Sequence, residues 1–215
     1  MKYQTERKKT MATASNIENQ FDTIDSSSLY SLSRRDRSDI ANDTLQILNS
    51  GFYKSTDGSK ISIAADLDRA MNGSVLYYED DLQNDKQLIL EAKQTDSVEM
   101  KTEFQILKCT TLQAAHLLSV ELGENRVGIL NFASAKNPGG GFLRGSSAQE
   151  ESIARSSSLY FCLNQAHFFR NFYNYHRRGE RGIYSNRMIY SPHVTILKVN
   201  SFGLNISFHI LLLKG

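Results

Sequence analysis

Apolar residues fall unevenly along the 215-residue chain. Up to residue 32 they are scattered among Ser, Thr, Asn, Asp and Gln, too sparse to offset the entropy lost on ordering, which predicts a disordered tail over 1–32. From Arg34 the pattern tightens. Ile40, Leu45, Ile47 and Leu48 recur at near-helical spacing and Gly51 supplies a stop, predicting an amphipathic helix of about 13 residues. ISIAADLDRAM predicts a short strand and a helix, SVLYYED a strand, and the acidic DDLQNDKQ a loop. Phe104, Ile106 and Leu107 open another strand, and TTLQAAHLL carries an apolar helical face that Gly123 ends. RVGILNF, residues 126–132, is a short and almost continuous apolar run between turn-formers, the signature of a strand covered on both faces. It feeds a Pro and Gly loop from Ala133 to Gly145 and then SSAQEESIARSSSLYFCL, which opens with capping residues and continues as a helix. RMIYSPHVTILKV predicts one or two strands, and ISFHILLLKG another. Strands alternating with helices, without internal repeat, indicate an α/β domain over 33–215.

The chemistry gathers after the 126–132 strand. Gly139, Gly140 and Gly141 stand between a strand and a helix start, where missing side chains let a ligand lie against backbone N–H groups. The next helix adds its positive end, which favours an anion such as phosphate. A plain tight turn is the alternative for the glycines alone. Ser146 with Gln149, and Ser147 with Glu150, each fit a capping box, so either serine is a candidate N-cap. Glu150 and Glu151 are consecutive and leave a helix about 100° apart, so they cannot do the same job. One is expected to anchor while the other faces the glycines. Glu151 and Arg155, at i and i+4, would on their own indicate no more than a solvated face. A helix N-terminus lowers a carboxyl pKa, so the sequence predicts an acid assembled by its ligand and not one poised beforehand.

Composition narrows the partners. Twenty-five Lys and Arg against 23 Asp and Glu leave a net charge of +2, so no global field binds nucleic acid, and sequence-specific binding to it is not expected. Ser152 to Gly179 nevertheless contains no acid, and interleaves Arg155, Arg170, Arg177 and Arg178 with Phe161, Phe168, Phe169, Phe172, Tyr173 and Tyr175. Half of these aromatics are assigned to the core, and the rest with the arginines suit a polyanionic ligand. Cys109 and Cys162 are too few for a disulfide scaffold and read as small apolar residues. The N-terminus leads into no signal-like apolar region, and the longest apolar runs fall far short of the roughly 20 residues a membrane span needs. An intracellular protein, cytoplasmic or nuclear and without membrane contact, is expected.

Competing sites fit less well. GGGFLRG lacks the G-x-G-x-x-G spacing of a dinucleotide fold, and the acid that fold places about 20 residues on is missing. No Gly-Lys-Ser/Thr marks a P-loop, no G-x-S-x-G elbow marks a serine hydrolase, and His116, His167, His176, His193 and His209 lack metal-ligand spacing.

NFASAKNPGGGFLRGSSAQEES resembles the microbial type of poly(ADP-ribose) glycohydrolase, a macrodomain family marked by Gly-Gly-Gly, a short spacer and Gln-Glu-Glu. Here these are Gly139 to Gly141, seven residues, and Gln149, Glu150 and Glu151. The likeness extends over most of residues 34–194. It implies a three-layer α/β/α macrodomain-like mixed sheet that hydrolyses the ribose–ribose O-glycosidic bond of poly(ADP-ribose), with neither metal nor cofactor. Its partners would be that polymer or ADP-ribosylated proteins. By the same resemblance Glu151 is the general acid and base, and Glu150 and Gln149 orient the ribose. Gly139 to Gly141 wrap the diphosphate, and Ser134, where relatives often carry Asn, lies near the terminal ribose. A non-enzymatic ADP-ribose reader is the alternative function. The family's domain ordinarily continues past a point matching Pro192 to a second glycine-bearing loop. HVTILKVNSFGLNISFHILLLKG carries neither that loop nor its helix, so the domain is expected to be C-terminally incomplete, with a divergent tail from about 195. A strand as apolar as FHILLL would then be left with an exposed patch or an unpaired edge, predicting self-association.

Overall fold

The computed structural model describes residues 32–55, 57–81, 104–124, 126–179 and 185–197, with the backbone of 206–213. Residues 1–31 of the N-terminal tail expected over 1–32, and most of the acidic loop, lie outside the described residues.

Helix α1 (Arg34–Ser50) is longer than its apolar spacing predicts because its first turn is held by polar groups. Ser33 caps it and Asp36 returns the bond in a capping box. Its end is where glycine put it. Gly51 is left-handed at φ 70°, and its N–H reaches the Ile47 carbonyl. Ala41, Thr44 and Leu48 form the buried stripe. Next in the chain is a small antiparallel ribbon, β1 (Phe52–Lys54) with β2 (Lys60–Ser62), then α2 (Ala64–Gly73), which buries Leu67 and Ala70.

The main sheet has four strands in the order β3 (Val75–Tyr77), β5 (Met188–Ile196), β6 (Ile206–Leu213), β4 (Gly128–Phe132). β5 is antiparallel to both neighbours, whereas β6 and β4 run parallel. The RMIYSPHVTILKV stretch therefore supplies one strand, β5, broken in register between Ser191 and Val194. Pro192 has no N–H to give the ladder and His193 sits at φ 57°, so a bulge is the expected accommodation. Of the two outcomes expected for the FHILLL segment, an exposed patch or an unpaired edge, the edge does not occur: β6 is paired along both sides.

Before β4 comes α3 (Thr111–His116), capped by Thr110 and Gln113 and running into a π-turn at Leu117–Glu121. The strand expected at Phe104 to Leu107 does not form. Phe104 and Ile106 are almost wholly exposed and no neighbouring strand pairs them among the described residues, so local apolar spacing has nothing to act on. After β4 come α4 (Gln149–Ser156), α5 (Leu159–Leu163), α6 (Ala166–Phe168), a π-turn at Phe169–Tyr173 and α7 (Asn174–Arg178). The single helix expected across 149–163 is two, because Ser157 leaves the helical path to bridge Ile196 on β5. The main core unites Val127, Ile129, Ile153, Leu159, Leu163, Phe168, Phe172, Tyr173, Ile189 and Val194. Of the interleaved aromatics, Phe168, Phe172 and Tyr173 are buried while Phe169 and Tyr175 reach the surface, the division expected.

β4 departs from its prediction. Burial alternates along it: Ile129 and Asn131 face the core, and Gly128, Leu130 and Phe132 face outward and exposed. An unbroken apolar run cannot show which parity will be covered, and here only one is.

Candidate active site

β4 ends at the site. Its outer edge is met by Gln149, whose amide oxygen accepts from Phe132 N–H at 2.8 Å and whose amide nitrogen donates to the Leu130 carbonyl at 2.9 Å and to Thr111 Oγ1 at 3.1 Å. Gln149 thus fills the place of a neighbouring strand and docks the start of α4 onto β4.

The next residue turns inward. Glu150 is 3% exposed, and its Oε2 accepts from the Ser134 amide at 2.7 Å. Burial pushes its carboxyl up to about 7, with the neighbouring Glu151 charge adding to the effect, against weaker support for the ionised form from Ser134, Gly139 and Asn131. The helix-terminus argument predicted the opposite direction, and for Glu150 desolvation outweighs it. Asn131 lies on the inward parity of β4 with no exposed surface, and neither of its amide atoms makes a hydrogen bond of full geometry among the described residues. Tyr173, equally buried, is raised by its own desolvation and then by the charge of Glu150, and its hydroxyl is also unpartnered among the described residues. Asn131 is not singled out by the sequence, and Tyr173 counts there only as one of the interleaved aromatics. The available signal was the polar Asn131 at the same parity as Val127 and Ile129.

Glu151 leaves α4 toward the glycines. Its Oε1 accepts from Gly141 N–H at 2.9 Å. A Cβ on Gly140 would stand 2.4 Å from that oxygen and 3.2 Å from Glu150 Oε2, and one on Gly141 would stand 2.5 Å from Ser146 Oγ. Both carboxyls therefore converge on Gly140, and only a bare backbone leaves room for them. Gly139 and Gly140 are also left-handed, at φ 66° and 59°. The amides are spoken for: Gly140 N–H goes to the Asn137 carbonyl at 3.0 Å and Gly141 N–H to Glu151, while Gly139 supports Glu150. The turn is a seat for the glutamates, a duty that the phosphate reading of the glycines did not include. Ser134 shapes the approach, its Oγ accepting from Lys136 N–H at 3.3 Å and Asn137 N–H at 3.1 Å.

Capping is the expectation that fails here. The N-cap of α4 is Ala148, with no side-chain bond, because Ser146 is drawn away into the glycine turn, its N–H on the Gly141 carbonyl and its own carbonyl accepting from Arg155. Arg155 is accordingly 8% exposed and no part of a solvated face. The far end of the loop is held by α1, whose Arg34, Arg37 and Ser38 donate to the carbonyls of Arg144, Gly145 and Leu143. Cys162 is buried with its thiol pushed up to about 12, and Cys109 is partly exposed. Among the described residues no group of three or more His, Cys, Asp and Glu is placed to hold a metal ion, and no helix is long and apolar enough to cross a membrane.

Residues 41–199 match the family model described as microbial-type PARG, catalytic domain. The chain belongs to the microbial-type PARG family. Among solved structures it is similar to poly(ADP-ribose) glycohydrolase from Thermomonospora curvata, at 34% identity and TM-score 0.73, covering 84% of this chain and 64% of that one. The same enzyme bound to the inhibitor ADP-HPD gives a TM-score of 0.69. A point mutant of Deinococcus radiodurans PARG in complex with ADP-ribose matches at 30% identity and TM-score 0.57, covering 69% of this chain and 57% of that one. No curated protein matches. The macrodomain-like α/β fold is thus that of PARG, and the chain spans just under two thirds of the length of the T. curvata structure.

Proposed function

We propose that this chain hydrolyses the ribose–ribose O-glycosidic bond of poly(ADP-ribose) and releases ADP-ribose, with Glu151 as general acid and then general base. The observation that carries this reading is the convergence of the Glu150 and Glu151 carboxyls on the bare Gly140 backbone, with Glu151 held by the Gly141 amide. Family membership supports it, as do the complexes of its relatives with ADP-ribose and ADP-HPD.

In this mechanism Glu151 protonates the leaving ribose oxygen, and the C–O bond breaks toward an oxocarbenium-like centre. The resulting carboxylate takes a proton from the water that attacks that centre, restoring the acid. Both carboxyls come from adjacent residues on one helix and approach the same space, where a Gly140 side chain would stand, so a second negative charge there is costly. Glu150, buried and raised, is suited to hold a ribose hydroxyl through a carboxyl that need not be charged. Gln149 fixes the start of the helix, Ser134 lies beside the ribose, and Gly139 to Gly141, bare of side chains, leave room for the diphosphate against a backbone whose amides serve the turn and the glutamates. The chemistry requires no metal or cofactor. Poly(ADP-ribose) or ADP-ribosylated proteins are the partners, in an intracellular, cytoplasmic or nuclear setting.

The test is incubation of the chain and its Glu151→Gln variant with poly(ADP-ribose), with chromatography for free ADP-ribose. Release by the parent and a loss of at least about 100-fold in the variant is expected. Equal release by both would remove Glu151 from the mechanism. Silence from both, with ADP-ribose still raising Tm, would favour a reader that binds without cleaving.

A further inference from the structure

A guanidinium from the acid-free stretch reaches the glycine turn. Arg177 Nη2 donates to Asn137 Oδ1 at 3.1 Å, and Asn137 belongs to the turn through its carbonyl, which accepts from Gly140 N–H. The other arm, Nη1, donates to Asn174 Oδ1 at 3.2 Å, and the guanidinium carbon stands 4.7 Å over the Phe169 ring. Arg177 is nevertheless exposed, and Phe169 keeps 37% of its surface. A solvent-facing arginine ordinarily roams, so three restraints on one side chain are more than solubility requires. They hold a planar fork of donors in place beforehand, which suits a phosphate. Lys136 and Arg178 lie exposed in sequence beside these partners, and no Asp or Glu occurs between Ser152 and Gly179. The turn thus meets carboxylates through its glycines and a cation through Asn137.

We propose that Arg177, held over Phe169 and tied to Asn137, is a second anion subsite that takes the pyrophosphate of a neighbouring ADP-ribose unit, so that the polymer is gripped at two places. This rests on the poly(ADP-ribose) reading above. The subsite would favour chains over monomers, because ADP-ribose seated at the glutamates has no further unit to offer it.

The experiment compares ADP-ribose with a three-unit oligo(ADP-ribose), binding to the Glu151→Gln chain with and without Arg177→Gln, at 50 and 200 mM salt. Arg177→Gln is expected to weaken oligomer binding by about 5- to 10-fold, to lower the salt slope of log affinity by about 0.7 to 1, and to leave ADP-ribose binding unchanged. Arg177→Lys should recover the slope but not the full affinity, having lost the fork and the stacking. Unchanged oligomer binding, or an equal loss for both ligands, would overturn the subsite. No binding of ADP-ribose even before Arg177 is changed would overturn the poly(ADP-ribose) reading itself, and the subsite with it.

Discussion

The two faces of β4 are built to different standards. Inward, Ile129 packs into the main core, and Asn131 lies beside Glu150 without a trace of exposure. Outward, Leu130 and Phe132 are 41% and 58% exposed on a strand of five residues. A fold that tolerates bare leucine and phenylalanine on one side while bringing two carboxyls into the space of the missing Gly140 side chain on the other has its tightest tolerances at the chemistry.

The sharpest way to break this contrast is Gly140→Ala. The left-handed backbone costs about 1 kcal/mol, and the new Cβ would drive the Glu151 carboxyl aside, so hydrolysis should fall by about 100-fold with Tm lowered by only a few degrees. Near-normal turnover would mean that the carboxyls need not meet there. Next in size is the pH dependence of Glu150. Its ordinary value is 4.5 and its folded value about 7, so the folded state binds the extra proton. The stability contributed by Glu150 is therefore fully present below about 4.5 and is lost as pH rises through 7, by about 3 kcal/mol in all, after which it is constant. Urea titrations across that range should show the decline in the parent and lose it in Glu150→Gln. A decline of the same size in the variant would place the carboxyl in water. The smallest effect belongs to the outer face, where Phe132→Thr should change stability by no more than about 0.5 kcal/mol while reducing self-association in ultracentrifugation. A loss of about 2 kcal/mol or more would show that the face is covered after all.

Much of this corner was legible from sequence because its determinants are local. Strand, glycines and the Gln-Glu-Glu start of a helix succeed one another directly, and the division of labour between Glu150 and Glu151 comes from the helical angle between consecutive residues. The stop at Gly51 was legible for the same reason. The features that were not legible depend on partners distant in the chain. Gln149 serves the β4 edge across 17 to 19 residues, and Ser146 does not cap because the helix starts later, with Ala148 at the cap, while Ser146 is bonded into the glycine turn and to Arg155. The Phe104 to Leu107 run has the spacing of a strand and no neighbour to pair with among the described residues. Burial decided the charge state of Glu150, and no spacing rule encodes the depth at which a side chain comes to rest.

Among the described strands, β4 joins the sheet only through β6, and Gly128 finds its counterpart His209 about eighty residues later in the chain. Closing so long a loop is slow, and it cannot begin during synthesis until that distant segment has been made. The glutamate corner therefore gains its strand neighbour late, and a nascent chain lacking β6 would carry the whole Gly-Gly-Gly to Gln-Glu-Glu signature on a β4 without that partner.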